Sequence, residues 1–368
     1  MSLAATILNS IRVKNSRLDK NEHRLSEYGA FDFFVQQSKT NPLLTEEMRA
    51  KAIDSMGKTL QMPVITYDGT VTVSNVRSCT VADAENTSAL VGLTFATYAV
   101  GFTVVPAMYS NNEIDMQNDI EKKFKKCARV LGAALDSAAL AILSANKTQV
   151  FGDTLIYSEV ADVIAVPWAS REDILSDIEP MMQANDYYGR VHIIGNAGVR
   201  SLLNKLAEKG EFNYVDKSLE WNNKEFHFTN RLVNGDSDYA TFYAVEDGNV
   251  DVLFRYDREA ARSTKTAIGH EWDIIDMPYI DVPVGLHYYE SVGDQSAIAG
   301  DATADLTCAK KEFYGFSVDV AFVVAYNSAL ATKANPIIKA AIAKGNTYAQ
   351  PVTVVNDATN PVNTKEVQ

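Results

Sequence analysis

The sequence predicts an α+β fold, and three observations carry that expectation. Apolar residues recur at three- and four-residue steps from about 111 to 145, marking one unusually long helix. Stretches of β character flank this helix, at about 60–106 and again from 225 onward. Between the helix and the second of these, strand-like and helix-like segments alternate at about 170–209, as in an α/β layer.

Residues 1–44 mix Leu3, Ile7 and Ile11 with scattered charges and close on Phe31, Phe33 and Phe34. Such a segment reads as an arm that needs a surface to dock on, or as a frayed terminus with one short amphipathic helix. A short helix is expected over 45–57, with Thr45 as N-cap, Met48, Ala52 and Met56 on one face, and Gly57 at its end. From 58 to 106 the pattern is β. Pro63 to Tyr67 and Thr70 to Val73 flank an Asp68-Gly69 turn signal, and Leu90 to Val105 forms a second extended stretch. The polar residues Arg77 to Ser88 lie between. We read a long hairpin with a polar tip; a three-stranded antiparallel sheet inside the domain is the alternative.

In the long helix, Ile120, Phe124, Cys127, Leu131, Leu135, Ala138 and Ile142 form the apolar stripe. At about 1.5 Å per residue it spans roughly 50 Å, the length of a spine across a molecule. Its polar face carries Lys122, Lys123, Lys125, Lys126 and Arg129, read as a solvated face pairing with Glu113, Asp119 and Glu121 rather than as a grip on an anionic partner. The helix belongs to a region 107–168. A region 169–268 follows, with a helix at about 170–185, a strand Arg190 to Ile194, a Gly195-Asn196-Ala197-Gly198 turn and a helix Val199 to Lys209. Strands are expected at Glu225–Phe228, Tyr239–Val245, Val252–Tyr256 and Trp272–Pro278. The region 269–345 ends with an alternating strand, Lys311 to Tyr326, and a helix at about Pro336 to Ala343. Residues 346–368 read as an aperiodic tail.

A chain of 368 residues, 46% hydrophobic and 22% charged, has the material for a substantial core. Its formal charge of −13, with 47 acidic against 34 basic residues, argues against specific binding of nucleic acid through phosphates. Cys79, Cys127 and Cys308 are widely spaced and expected to be reduced thiols. The short apolar stretch Leu3 to Leu8 precedes Arg12 and Lys14, inverting the charge order of an export signal, so a soluble chain is expected. The apolar stretch from Phe316 to Leu330 is broken by Asp319 and Asn327 and falls short of a membrane span.

Chemistry finds little support in the sequence. His23, His192, His227, His270 and His287 share no short spacing that sets two imidazoles on one helix face. The Gly195–Gly198 turn matches neither a dinucleotide nor a P-loop fingerprint and reads as a plain strand-to-helix connection. No Gly-x-Ser-x-Gly elbow occurs, and Asp236 with Asp238, or Asp294 with Asp301, read as solvated turns. Catalytic, cofactor-binding and metal residues are accordingly expected to be none, and no cofactor is implied.

The order of parts carries a resemblance, as do three passages. These are Val100-Gly-Phe-Thr-Val-Val-Pro106 leading into Asn111-Asn-Glu-Ile114 and the helix ending Leu135-Asp-Ser-Ala-Ala-Leu-Ala-Ile-Leu143; Arg190-Val-His-Ile-Ile-Gly-Asn-Ala-Gly-Val199; and Met277-Pro-Tyr-Ile-Asp-Val-Pro283 before Val284-Gly-Leu-His-Tyr288. Over about residues 1–345 the chain resembles the major capsid proteins of tailed bacteriophages, with the Hong Kong 97-type fold. That resemblance implies an N-terminal arm (1–44), an extended loop (58–106), a spine helix with a peripheral domain (107–168 and 269–345) and an axial domain (169–268). It also implies a non-enzymatic subunit assembling as hexamers and pentamers into a virion capsid, after host cytoplasmic assembly. Possible partners are scaffolding, portal and decoration proteins and packaged double-stranded DNA held non-specifically, with no membrane; the acidic balance would suit a wall that does not stick to DNA. No lysine lies between Thr59 and Glu121, so a covalent cross-link from the extended loop is not expected. A long coiled-coil leader is not apparent either, so a separate scaffold is expected. An encapsulin-like cargo shell is the nearest alternative, and a cytoplasmic nucleotide-binding enzyme a more distant one.

Overall fold

The computed structural model describes residues 28–54, 57, 59–66, 87–109, 113–147, 157–183, 187–208, 219–221, 224–255, 266–267, 270–277, 280, 282–293, 308–325 and 337–345. Residues 1–27, the Asp68-Gly69 turn with Thr70–Val73, Arg77–Asn86, Cys79, Asp294, Asp301 and the 346–368 tail lie outside the described residues.

In chain order the elements are α1 (Gly29–Thr40), α2 (Glu46–Asp54), β1 (Thr59–Thr66), β2 (Thr87–Thr94), β3 (Ala96–Val104), α3 (Glu113–Ala145), β4 (Ser158–Val160), β5 (Val163–Val166), α4 (Asp173–Gln183), β6 (Val191–Gly195) and α5 (Ala197–Glu208). Then follow β7 (Leu219–Trp221), β8 (Lys224–Phe228), β9 (Asp238–Glu246), β10 (Val250–Arg255), β11 (Thr266–Ala267), β12 (His270–Met277), β13 (Val282–Gly293), β14 (Ala309–Val324) and β15 (Ile337–Ala343). The α+β expectation stands.

The strands form three sheets. β1 and β2 pair with each other as an antiparallel ribbon, from Thr59 opposite Thr94 to Thr66 opposite Thr87. A six-stranded sheet is organised on the 16-residue β14. One edge of β14 pairs with β13 and then, from Asp319 to Val324, with β10; the other edge pairs with β3. The seven-stranded sheet runs β4-β5-β15-β9-β6-β8-β7.

The sheet organised on β14 packs against the spine helix α3, which is 33 residues long. Its core side is the alternating set Tyr314, Phe316, Val318 and Val320, as the period-two pattern of β14 predicts. Facing them on α3 are Ile120, Phe124, Leu131 and Leu135. Toward its C-terminal end the buried positions are Ala139 and Leu143, one residue on from the expected Ala138 and Ile142, because the contact follows steps of four there. By length and composition alone, Met116–Ala145 is apolar enough to cross a membrane. Here its apolar stripe faces the core.

The second sheet is covered on one face by α4 and α5, where Ile174, Ile178, Leu202 and Leu203 meet Val191, Ile193, Phe242, Ala244 and Ile342. Its opposite face, through Ile194, Tyr243, Val245 and Ile337, joins the core shared with α1 and α3. This double coverage explains one correction. Within the stretch Pro336 to Ala343, expected as a helix, the described residues Ile337–Ala343 are the strand β15, antiparallel to β9 and parallel to β5. A strand buried on both faces reads as a continuous apolar run, and its short length removes the periodicity that distinguishes it from a helix.

A second correction concerns the arm. Its closing cluster, Phe31, Phe33 and Phe34, is fully buried on α1 within the chain's own core. Asp136 of α3, fully buried, accepts hydrogen bonds from the backbone N–H of Ala30 at 2.9 Å and Phe31 at 3.0 Å, capping α1. Thr229 donates to its other oxygen. α1 approaches this closely because Gly132 has no side chain: a Cβ there would lie 2.7 Å from Ile280 Cγ2 and 2.8 Å from Tyr28 Cζ. The region boundaries also interleave. β10, within the expected axial segment, belongs to the β14 sheet, whereas β15, from the expected peripheral return, is central to the other. β9 passes into β10 through Asp247, Gly248 and Asn249, with the glycine at φ +77°. Gln37 Oε1 of α1 accepts the Gly248 N–H at 2.9 Å.

Candidate assembly surface

The β1–β2 ribbon is the part of the described chain that neither large sheet contains. An isolated two-stranded hairpin is marginal in water, so what holds its base matters. The extended stretch expected from Leu90 to Val105 divides at Phe95: the residues before it pair in the ribbon and those after it pair with β14. Phe95, Leu93, Leu44, Ala52, Leu253 and Ala321 close into a small apolar cluster beneath the ribbon, with Met48 and Leu60 packed on it.

Arg255, at the end of β10, fastens this base. Its guanidinium lies 4.5 Å over the Phe95 ring. Nη1 donates to the Gly57 carbonyl at 2.9 Å, where the chain enters β1. Nε and Nη2 donate to Asp319 Oδ2 of β14 at 3.1 and 2.9 Å. The remaining Asp319 oxygen accepts from Thr97 Oγ1 at 2.7 Å, where the chain leaves the ribbon for β3. One side chain, 5% exposed, thus touches both legs of the ribbon and the main sheet. A parallel device holds α2: Arg49 pairs with the fully buried Asp251, whose Oδ2 also accepts the Leu44 N–H at 3.1 Å. On the sequence-predicted cap of this helix, Thr45 Oγ1 accepts the Met48 N–H at 3.4 Å.

The lysine-rich face of α3 behaves as a solvated face in two places. Lys123 pairs with Asp119 at 2.6 Å and Lys125 with Glu121 at 3.1 Å, both at i,i+4 spacing. The side chain of Glu113 lies outside the described residues. Tyr109 donates to Asp119, and burial with that hydrogen bond raises its phenol well above the ordinary range.

The Gly195–Gly198 turn is a strand-to-helix connection whose helix N-terminus is already occupied. Asn196 Oδ1 accepts the N–H of Gly198 at 3.0 Å and of Val199 at 3.4 Å, the donors a phosphate would need. Gly198 serves packing, since a Cβ there would meet the Tyr239 carbonyl oxygen at 2.3 Å. Asp238 accepts the Gly235 N–H at 3.1 Å within a turn. Cys127 is buried and Cys308 exposed, and burial pushes the Cys127 thiol up.

Spacing along the chain missed two features. Arg255 closes the strand Val250–Arg255, whose one other charged residue is Asp251, and a buried charge at each end of so short an apolar run is the signal that marks an anchor. Two histidines that are far apart in sequence, His192 and His227, meet across the parallel strands β6 and β8, with Glu225 beside them. The Glu-x-His alternation on β8 is the legible trace of that cluster.

No family model matches the chain, and no curated protein matches it. Among solved structures, the capsid asymmetric unit of cyanophage Pam1 is similar at 12% identity, covering 80% of this chain and 87% of that one, with a TM-score of 0.47. A structure titled Microbacterium phage Oxtober96 aligns at 13% identity over 78% and 87%, with a TM-score of 0.44. The capsid of an empty GTA particle aligns at 12% identity over 82% and 91%, with a TM-score of 0.39.

Proposed function

We propose that this chain is a major capsid protein, a structural shell subunit with the Hong Kong 97-type arrangement of extended loop, spine helix, peripheral sheet and axial layer. The observation that carries the reading is the β1–β2 ribbon. It belongs to neither large sheet, is two strands wide, and among the described residues is fastened at its base by Arg255 and the small cluster beneath it. A ribbon of this kind contributes little to its own subunit and needs a neighbouring surface for support. Repeated heterologous contacts of this kind, closed around symmetry axes, build a shell from one chain. Each contact is modest, and the shell is stable collectively.

On this reading the subunits form hexamers and pentamers around a genome, with scaffolding, portal and decoration proteins as partners. The DNA is held without sequence preference, in keeping with the net charge of −13. The chain acts through geometry and performs no catalysis.

The test is to replace residues 67–86 with a short Gly-Ser turn and to co-express the chain with candidate scaffolding proteins. Negative-stain microscopy and sedimentation are then compared with the parent. The expected outcome is a subunit that keeps its melting temperature and loses closed particles. Particles of unchanged size and yield would remove the ribbon from the assembly mechanism.

A further inference from the structure

We propose that His192, Glu225 and His227 form a binding site for one divalent transition-metal ion, with the preferences of zinc, between α1 and the β6–β8 pair. β6 and β8 are adjacent and parallel, with His192 opposite Glu225 and Ile194 opposite His227. Glu225 and His227 share a face of β8 by alternation, and His192 lies on the same side of β6, opposite to Val191 and Ile193. The ligand atoms converge. His192 Nδ1 is 3.3 Å from His227 Nε2 and 3.7 Å from Glu225 Oε2, and His227 Nε2 is 3.9 Å from Glu225 Oε1. With zinc–nitrogen and zinc–oxygen bonds of about 2.0–2.2 Å, the edge of a tetrahedral site is about 3.3–3.6 Å; the two nitrogens already stand at that spacing, and a turn of the carboxylate that offers one of its two oxygens to both completes the set. Two imidazoles and one carboxylate are also the donor set zinc accepts, leaving a fourth position for a solvent molecule.

The surroundings are those of a built site. The Phe33 ring lies 5.0 Å from the His192 ring and 5.3 Å from the His227 ring, roofing both. Gln36 Nε2 donates to Glu225 Oε1 at 3.0 Å, and Arg190 lies 3.5 Å from Oε2. These contacts orient the carboxylate. The Asp247 carboxylate stands 3.4 Å from the other nitrogen of His192, in the position of a carboxylate that orients a metal-bound imidazole. Without an ion, the Gln37 amide, 3.1 Å from His192 Nε2, favours the ring with its proton on Nδ1. Ion binding at Nδ1 takes the other neutral tautomer of the ring, with the proton moved to Nε2 and directed at Asp247, so His192 gives up no net proton.

The full chain, stripped with chelator and desalted, is titrated with zinc chloride and in parallel with cobalt chloride. We expect one equivalent of zinc retained after desalting, a rise in melting temperature with added zinc, and an X-ray absorption first shell of nitrogen and oxygen with two imidazoles. His227→Gln and Glu225→Gln should each lower affinity at least tenfold, and Asp247→Asn about tenfold. Cys308→Ser and His287→Gln should leave it unchanged. Retention of less than a tenth of an equivalent overturns the proposal, as does a sulfur-containing first shell or full retention in His227→Gln. If the ligand variants fail to fold, the absorption spectrum of the unaltered chain decides between these outcomes.

Discussion

Replacing Arg255 with methionine keeps most of the aliphatic length of the side chain and removes everything the guanidinium does. Three hydrogen bonds are lost: one to the Gly57 carbonyl and two to Asp319, together with the contact over Phe95. Hydrogen bonds to charged groups contribute about 1.5–3 kcal/mol, and stripping a buried pair of one partner costs about 3–5 kcal/mol. Asp319 is 22% exposed and keeps Thr97 as a donor, so water relieves part of that penalty. A cost of about 2–4 kcal/mol follows, and it is unevenly placed. Because Arg255 touches both legs of the β1–β2 ribbon, amides of Thr59–Thr66 and Thr87–Thr94 should lose more exchange protection than those of β13. A local loss of about 2 kcal/mol corresponds to roughly thirtyfold faster opening. Urea melting with hydrogen exchange resolved by mass spectrometry measures both effects. Asp319→Asn alone and in combination completes a cycle, in which the pair should show coupling of about 1–3 kcal/mol. A methionine variant that melts within 0.5 kcal/mol of the parent, with unaltered exchange in the ribbon, would refute the anchor.

Gly132→Ala should destabilise by about 1–3 kcal/mol in the same urea assay, since the added methyl meets Ile280 and Tyr28 inside van der Waals distance. Asp136→Ala should cost about 1–3 kcal/mol by leaving the Ala30 and Phe31 amides without an acceptor. Burial lifts the Asp136 carboxyl above its ordinary value, against the opposing pull of Thr229 and the two amides. A folded value above the unfolded one means that the folded state holds the proton more tightly. Its contribution to stability is therefore present below the ordinary carboxylate range and is lost as pH rises through the folded value. Asp136→Asn should flatten that slope in stability measured from pH 3 upward.

The elements legible in the sequence were those whose own residues carry the pattern. The spine helix announces itself through Ile120, Phe124, Leu131 and Leu135, and β14 through the alternation of Tyr314, Phe316, Val318 and Val320. What stayed hidden depends on partners distant in the chain. Ile337 to Ala343 becomes a strand because β5 and β9 flank it, and nothing within seven residues distinguishes that from a buried helical turn. Phe31, Phe33 and Phe34 read as an arm in search of a surface because their surface is supplied by residues up to about 290 positions later, Phe322 among them. The ribbon was visible as a hairpin, but its anchor was not, since Arg255, Gly57, Phe95 and Asp319 meet only after two sheets have formed. The histidine cluster escaped for a related reason: parallel strand pairing brings together residues that no local spacing connects.

The passage from β9 to β10 has a mechanical meaning. Three residues, Asp247, Gly248 and Asn249, separate β9, the middle strand of one sheet, from β10, which pairs with the long strand β14 of the other, and the Gln37 side chain of α1 holds the turn by accepting the Gly248 N–H. Such a joint has almost no slack. In the shell proposed above, a pull on the ribbon would travel through Arg255 and along β10, and would reach the second sheet through the three residues of the turn. The two layers would therefore tilt together as one solid plate, and any change in curvature of an assembly would have to occur between subunits, where contacts can slide, and not within them.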